Sequence, residues 1–231
     1  MKLVSCIMPT SAARQQFIPL AIDYFLRQDY PDAELIIIDD SPQSQEYLIP
    51  ASPKLAYVHL EPRSWSVGIK RNYACSRAKG SIILHWDDDD WYAPDWISRQ
   101  VQVLEQTGAG ICGLDRLHFF NPSLQQSWQY IYDYDSRPWV AGATMAYLRE
   151  VWERRPFPDM QVGEDNEFVW NAGVAVVAHD HTDGFISLLH GRNTSPKHTS
   201  HRQWKPMPVT VVQQILGADL ERYAFCHQEP Q

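Results

Sequence analysis

Short apolar runs, each ending in small polar or acidic residues, recur along the chain and set out its plan. The first, at 3–8, ends at Pro9-Thr10-Ser11, and the second, Leu35-Ile36-Ile37-Ile38, ends at Asp39-Asp40-Ser41-Pro42. A third lies at 55–60 and a fourth is Ile82-Ile83-Leu84. Runs this short and this uniformly apolar predict strands buried on both faces, as in parallel sheets. Between the first two, Phe17, Leu20, Ala21 and Tyr24 fall at i, i+3, i+4 and i+7 and predict a helix that stops near Asp29-Tyr30-Pro31. Strand, helix and strand make a βαβ unit, whose right-handed crossover sets both strands parallel with their ends on one rim.

The same reading continues down the chain. The loop Glu61-Pro62-Arg63-Ser64-Trp65-Ser66-Val67-Gly68 leads into a helix over 69–79 that Gly80 caps, and Trp96, Ile97, Val101 and Leu104 mark a helix ending at Thr107-Gly108. A short strand is expected at 109–112. From 117 to 134 an aromatic-rich alternation around Asn121-Pro122-Ser123 predicts a β-hairpin beside the parallel strands. The small residues within 139–145 suit close approach to a ligand. A helix at 149–155 stops before Pro156, another starts at Gly163-Glu164-Asp165, and strands follow at 174–178 and 185–189. Residues 193–208 read as a polar loop or lid, and Val212, Ile215 and Leu216 as the last helix. The expected class is α/β, a Rossmann-like, mostly parallel central sheet flanked by helices with a small antiparallel hairpin added.

Four consecutive carboxylates, Asp87 to Asp90, follow directly on the fourth apolar run. Open α/β sheets bind ligands in the crevice outside the carboxyl ends of their strands, so the acids stand where a site belongs. In an extended chain Asp87 and Asp89 point one way and Asp88 and Asp90 the other. Two carboxylates on one side form an oxygen-rich half-shell for Mg2+ or Mn2+, to be completed by a substrate phosphate. The plainer reading is a solvated acidic turn capping the next helix. On the same rim lie Pro9 and Thr10, Asp39 and Asp40, and the helix start Lys70-Arg71-Asn72. Basic residues there oppose the macrodipole at a cost of roughly a few tenths of a kcal/mol. A bound anion would explain them, and simple solvation of Lys70 and Arg71 is the other reading.

Composition narrows the class. With 231 residues the chain can bury a sizeable core, as one large domain or one with a small annex, and 44% hydrophobic and 21% charged residues are ordinary for a globular protein. A net charge of −8 disfavours non-specific nucleic-acid binding. Residues 1–9 do not form a convincing signal peptide, and no stretch approaches the roughly eighteen apolar residues of a membrane span. Cys6, Cys75, Cys112 and Cys226 are far apart in apolar surroundings, which predicts reduced thiols and a cytoplasmic protein, with a peripheral place at the membrane left open. No internal repeat is present. Neither G-x-G-x-x-G nor G-x-x-x-x-G-K-[ST] occurs, so no glycine loop cradles phosphate.

Taken in order, the opening strand ending in Pro9-Thr10, the strand ending in Asp39-Asp40-Ser41, the helix start Gly68-Ile69-Lys70-Arg71-Asn72, the D-x-D within Trp86-Asp87-Asp88-Asp89-Asp90 with Pro94 behind it, and Gly163-Glu164-Asp165 resemble the family 2 glycosyltransferases with the GT-A fold. The resemblance runs from about Leu3 to about His190. It implies a GT-A domain at 1–192, with 193–231 packed on it as loop or lid and helix. It further implies inverting transfer of a sugar from a nucleoside-diphosphate sugar, most often a UDP-sugar, to an acceptor hydroxyl, hexosyl transfer with Mn2+ or Mg2+ as cofactor. By the same resemblance Thr10 and Asp39 contact the base, Arg71 lies near the diphosphate, Asp87 touches the ribose or a metal-bound water, and Asp89 is the main metal carboxylate. Pro9, Asp40, Lys70 and Asp88 complete the donor side, and His190 is a candidate further metal ligand. Asp165 matches the general base and Glu164 its neighbour, with the two roles open to exchange. A glycan, a lipid-linked group and a protein all stay open as acceptor. The Q-x-x-R-W of processive members is absent, since His201-Arg202-Gln203-Trp204 has another order. Of the nine tryptophans, Trp65, Trp91 and Trp139 are expected nearest the cleft.

Two rival readings share the residues. A metal-dependent hydrolase would use His179, His181, Asp183 and His190, with the H-x-H pair on one side of an extended segment. A non-catalytic module would keep the fold and bind nucleotide-sugar or carbohydrate without transfer.

Overall fold

The computed structural model describes residues 1–63, 65–133, 137–195 and 197–228. Ser64 in the expected loop, Tyr134 at the end of the expected hairpin, Pro196 in the expected lid and the tail end 229–231 lie outside the described residues.

The apolar runs form a seven-stranded sheet. Strands β1 (Val4–Thr10), β2 (Ala33–Asp39), β3 (Leu55–His59) and β4 (Ile82–His85) are mutually parallel in the order β4-β1-β2-β3. Beyond β4 the sheet continues through β9 (Ala146–Leu148), β6 (Ile111–Gly113) and β10 (Val176–Ala178). β9 runs antiparallel to both β4 and β6. It was not foreseen, because three residues are too few to show a period.

Successive side chains of a strand point to opposite faces, and the buried residues divide accordingly. Val4, Cys6, Met8, Leu35, Ile37, Ile82 and Leu84 belong to a core with helices α1 (Ile18–Leu26), α3 (Trp96–Thr107) and α6 (Val209–Leu216). Ile7, Ile36, Ile38, Ile83 and Ile111 belong to a second core with α2 (Val67–Arg77), α4 (Arg149–Arg154) and α5 (Glu164–Asn171). Helices on both faces explain why these strands read as continuous apolar runs rather than as alternating ones. Gly80, expected as a helix cap, serves otherwise: α2 ends at Arg77, and a Cβ at 80 would stand 2.5 Å from the Leu3 carbonyl, so the glycine permits a close backbone approach.

The expected hairpin exists as β7 (Arg116–Asn121) and β8 (Gln126–Ile131), yet it is the middle of a five-stranded sheet rather than a small addition. Strand β11 (Phe185–Leu188) pairs in parallel with β7, β5 (Trp91–Tyr92) pairs with β11, and β12 (Trp204–Met207) pairs with β8. The expected loop at 193–208 therefore ends in a strand, which Lys205 and Pro206 had disguised.

The tail is part of the first core. Val212 and Leu216 of α6 are buried, and the 3-10 segment Gly217–Gln228 lies against α1, where the Tyr223 and Tyr24 hydroxyls meet at 2.8 Å. Asp219 accepts from Arg27 at 3.0 Å and from the Trp91 indole at 2.8 Å. All four cysteines are buried, and among the described residues no helix is long and apolar enough to cross a membrane.

Because α6 belongs to the same core as the central sheet, Leu216→Ala is expected to lower the unfolding free energy by about 2–5 kcal/mol, the cost of a buried leucine cavity. Urea unfolding should show a single transition at a lower midpoint with an unchanged slope. A loss below that range, or a separate early transition, would make the tail an appendage.

Candidate functional site

The site grows from the neighbouring ends of β1 and β4, which are paired in parallel with Ile7 opposite His85. Past His85, the Trp86 amide donates to the Ile7 carbonyl at 3.0 Å and its indole to the Ala21 carbonyl at 3.0 Å. The Trp86 ring stacks on Tyr92, centroids 3.8 Å apart, and the Tyr92 hydroxyl accepts from the Asp87 amide at 2.7 Å. Held at both ends by this aromatic pair, 87–90 is a tight turn, not an extended segment. The expected alternation fails for that reason. Asp87 leaves its expected partner Asp89 and lies 3.4 Å from Arg71, while Asp88 and Asp89 share another cation.

That cation is Arg14, which sequence reasoning missed. It sits on a 3-10 turn (Ala12–Arg14) just after β1, is 7% exposed, and is ion-paired with Asp89 and, at 3.8 Å, with Asp88. Its only sequence signal was a charge buried in an otherwise small and polar stretch after a strand end. Asp88 also accepts from the Thr10 hydroxyl at 2.6 Å. Asp89 is 2.9 Å from His190 Nε2 and 3.2 Å from the Asn193 amide nitrogen. Asp90 points inward and accepts from the Leu188 amide at 3.0 Å. Burial, reinforced by the Asp87 charge, pushes the Asp90 carboxyl up to about 8, and burial raises Asp88 as well, against the pull of Arg14 and Thr10.

Lys70 and Arg71 are not solvated, and each is already paired with carboxylates. Lys70 is buried, with Nζ 3.0 Å from Asp40 and 3.0 Å from the Thr10 carbonyl. Arg71 is buried and donates to Glu164 on one side and to Asp87 on the other, so one guanidinium ties the start of α5 to the acid turn. Its Nε has no hydrogen-bond partner among the described residues. Asn72 holds the loop before α5, donating to the Phe157 carbonyl at 2.8 Å and accepting from its amide at 2.9 Å. Burial pushes the Glu164 carboxyl up to about 7, while Arg71 pulls it down and Asp165 pushes it further up.

Helix α5 begins at Gly163, whose φ of 87° suits a glycine, and its first turn carries Glu164, Asp165 and Glu167 at the positive end of the helix. The two acids face differently. Glu164 is buried on Arg71, whereas Asp165 is half-buried and reaches the cleft, its Oδ2 only 2.0 Å from where a Cβ on Gly142 would be. Gly142 leaves room for that carboxylate, and its carbonyl is 2.6 Å from Nδ1 of the buried His85.

The cleft, about 450 Å³, brings together Pro9, Arg14, Arg71, Asp87 to Asp90, Glu164 and Asp165. An aromatic cluster of Phe119, Tyr130, Trp139 and Trp204 lines it as well. Of the tryptophans expected there, Trp139 lines it. Trp91 instead packs inward on Asp219, Trp65 stacks under Arg63, and Trp204 of the unforeseen β12 takes their place. Thr10, Asp39, Asp40, Lys70 and His190 stand behind the lining. Asp39 is fully buried, its carboxylate accepting from the Ser41 amide at 2.9 Å, the Gln45 amide at 3.2 Å and the Tyr57 hydroxyl at 2.6 Å, which leaves it shaping the rim from within.

The hydrolase residues do not gather. His179 faces Gln100, His181 faces Asp95, Asp183 faces His118 and His190 faces Asp89. Among the described residues no three His, Cys, Asp or Glu side chains form a ready metal cage. The donor types at Asp88, Asp89 and His190, two carboxylates and an imidazole, nevertheless suit a hard divalent ion. The Arg14 guanidinium supplies the positive charge beside Asp88 and Asp89 in this structure.

Comparisons with known proteins agree with this architecture. A chain from Escherichia coli (strain K12) named as a colanic acid biosynthesis glycosyl transferase, WcaA, is 39% identical over 101 residues, 42% of this chain and 36% of its own length. One from Bacillus subtilis (strain 168), named as a teichuronic acid biosynthesis glycosyltransferase, TuaG, is 31% identical over 108 residues, 44% of this chain and 42% of its own. The matches thus span well under half of these relatives. Among solved structures, S. aureus TarS 1-349 in complex with UDP-GlcNAc superimposes with a TM-score of 0.64 at 15% identity, over 96% of this chain and 72% of the other. The mannosyltransferase PcManGT from Pyrobaculum calidifontis, in complex with GDP-Man and Mn2+, gives 0.63 at 19% identity, over 98% and 72%. The fold is the GT-A fold of these neighbours. The family model described as glycosyl transferase family 2 matches residues 5–167, from β1 through the acid turn to Glu167, and the chain belongs to that family.

Proposed function

We propose that the protein transfers a hexosyl group, with inversion, from a nucleoside-diphosphate sugar to an acceptor hydroxyl, with a UDP-sugar as the first donor to test. The observation that carries this reading is the Glu164–Arg71–Asp87 bridge, which joins the start of α5 to the acid turn across one cleft. Donor diphosphate belongs beside the acid turn and Arg71, whose partnerless Nε is a donor to spare. The acceptor belongs between Asp165 and the aromatic wall, where sugar rings stack favourably. Glycan acceptors fit that wall and the biosynthetic names of the relatives.

Asp165 accepts the proton of the attacking hydroxyl as its oxygen bonds to the sugar's anomeric carbon, and the electron pair of the breaking bond leaves with the diphosphate. Glu164 is the holder of Arg71 rather than the base, since its carboxylate is buried on that guanidinium. Mn2+ or Mg2+, held by Asp89 and His190 with Asp88 beside them, would supply Lewis-acid stabilisation of the departing diphosphate. Asp87, expected as a ligand, is given instead to positioning Arg71. The buried thiols of Cys6, Cys75 and Cys112 suit a reducing, cytoplasmic setting.

Asp165→Asn is expected to lower kcat by about 10²- to 10⁴-fold, the usual contribution of a general base, while calorimetric donor binding stays near that of the wild type. Retained turnover would move the base elsewhere. Donor binding by a wild type that neither transfers nor hydrolyses its sugar would favour the binding-module reading.

A second expectation concerns pH. Glu164 titrates near 4.5 when unfolded and about 7 when folded, so the native state holds an extra proton between those values. Stability from this group is therefore complete below 4.5 and declines as pH rises through 7. Glu164→Gln should remove that part of the slope in urea-unfolding free energy, and an unchanged slope would mean that Arg71 keeps the carboxylate ionised throughout.

A further inference from the structure

Arg14 is the least expected feature of the cleft, and its surroundings say what it does. The carboxylates that it faces are Asp88 and Asp89, each itself under a tenth exposed, so the pair requires a positive partner whenever no ligand is bound. The guanidinium meets that requirement on the side that a metal would use. It is paired with Asp89 Oδ2, the same oxygen that lies 2.9 Å from His190 Nε2, and its own Nη1 is 3.3 Å from that nitrogen. The Phe17 ring, stacked at 4.6 Å on His190, keeps the imidazole from swinging aside. A divalent ion could not use Asp89 Oδ2 and His190 Nε2 together while Arg14 Nη1 remains against both. Arg14 also borders the cleft, where a diphosphate would offer it a new anion.

We infer that Arg14 competes with the divalent cation for the Asp88–Asp89 pair, and that nucleotide diphosphate resolves the competition by accepting the displaced guanidinium, so that metal and nucleotide bind cooperatively. This inference rests on the donor-site reading given above. It makes Arg14 a positioning residue with two anionic partners in turn. It also gives free metal little hold on the empty protein, because an ion arriving alone would have to leave a guanidinium without a counter-charge. The second amino group donates to the Thr194 hydroxyl at 3.2 Å, so release of Arg14 would also remove one tie between the 190–194 segment and the end of β1, while Arg192 keeps another to the Ala13 carbonyl at 3.2 Å.

The test measures Mn2+ binding to the full chain by calorimetry, without nucleotide and with saturating UDP or GDP, for the wild type, Arg14→Gln and Arg14→Lys. The wild type should bind Mn2+ alone weakly and gain strongly from nucleotide, with Mn2+ strengthening nucleotide binding by the same factor, as linkage requires. Arg14→Gln should bind Mn2+ alone about tenfold tighter or more and lose most of the gain from nucleotide, a change within the usual range of site coupling. Arg14→Lys, which keeps the charge on a single ammonium unable to hold Asp88, Asp89 and Thr194 together, should lie between them. It decides the matter if Arg14→Gln does not fold. Equal Mn2+ affinity in the wild type and in whichever variant folds overturns the inference, as does coupling that is unchanged. Absence of nucleotide binding to every form, with tighter Mn2+ binding in the variants, would instead sink the donor-site reading and the cooperative part with it, leaving competition for the acid pair standing.

Discussion

The structure turns on the compensation of negative charge at the end of a completely buried strand. Four carboxylates follow Ile82–His85, three of them almost wholly out of solvent, and two carboxylates of α5 stand across the cleft. Charges so placed are tolerable only if each is paired, protonated or hydrogen-bonded. All three devices are used. Arg14 and Arg71 pair with Asp89 and Glu164, burial drives Asp90 toward its protonated form, and Thr10 and the Leu188 amide supply hydrogen bonds. The binding site is the residue of this accounting: whatever compensation the protein supplies incompletely, a ligand can complete.

The parallel half of the fold was legible because helices on both faces make each strand uniformly apolar, and such runs stand out with their acids attached. The second sheet was legible only at β7 and β8, where aromatic residues alternate. The strand β12 was hidden by Lys205 and Pro206, which an edge position tolerates and a central one would not. β9 was too brief to register. Its antiparallel insertion places Ala146 and Tyr147 between β4 and β6, a long-range pairing that no local pattern can announce.

The acids of the site were visible as residue types at strand ends, but their partners were not. Extended geometry paired Asp87 with Asp89, and the turn enforced by Trp86 and Tyr92 undid that pairing. Arg14 escaped notice because nothing in a lone arginine after Ser11-Ala12-Ala13 marks it as buried. Asp39, conspicuous in sequence, is fully enclosed by Ser41, Gln45 and Tyr57, partners that its place at a strand end does not announce. Which side chain faces the cleft is a tertiary fact, settled by Gly142 in the case of Asp165.

That glycine carries a last consequence. Its missing side chain admits the Asp165 carboxylate, and its carbonyl holds the imidazole of His85 at the end of the very strand that delivers the acid turn. One residue thereby sets the position of both side chains, and a Cβ in its place would displace the Asp165 carboxylate. Lys197, His198, His201 and Trp204 border the same cleft from a distant part of the chain.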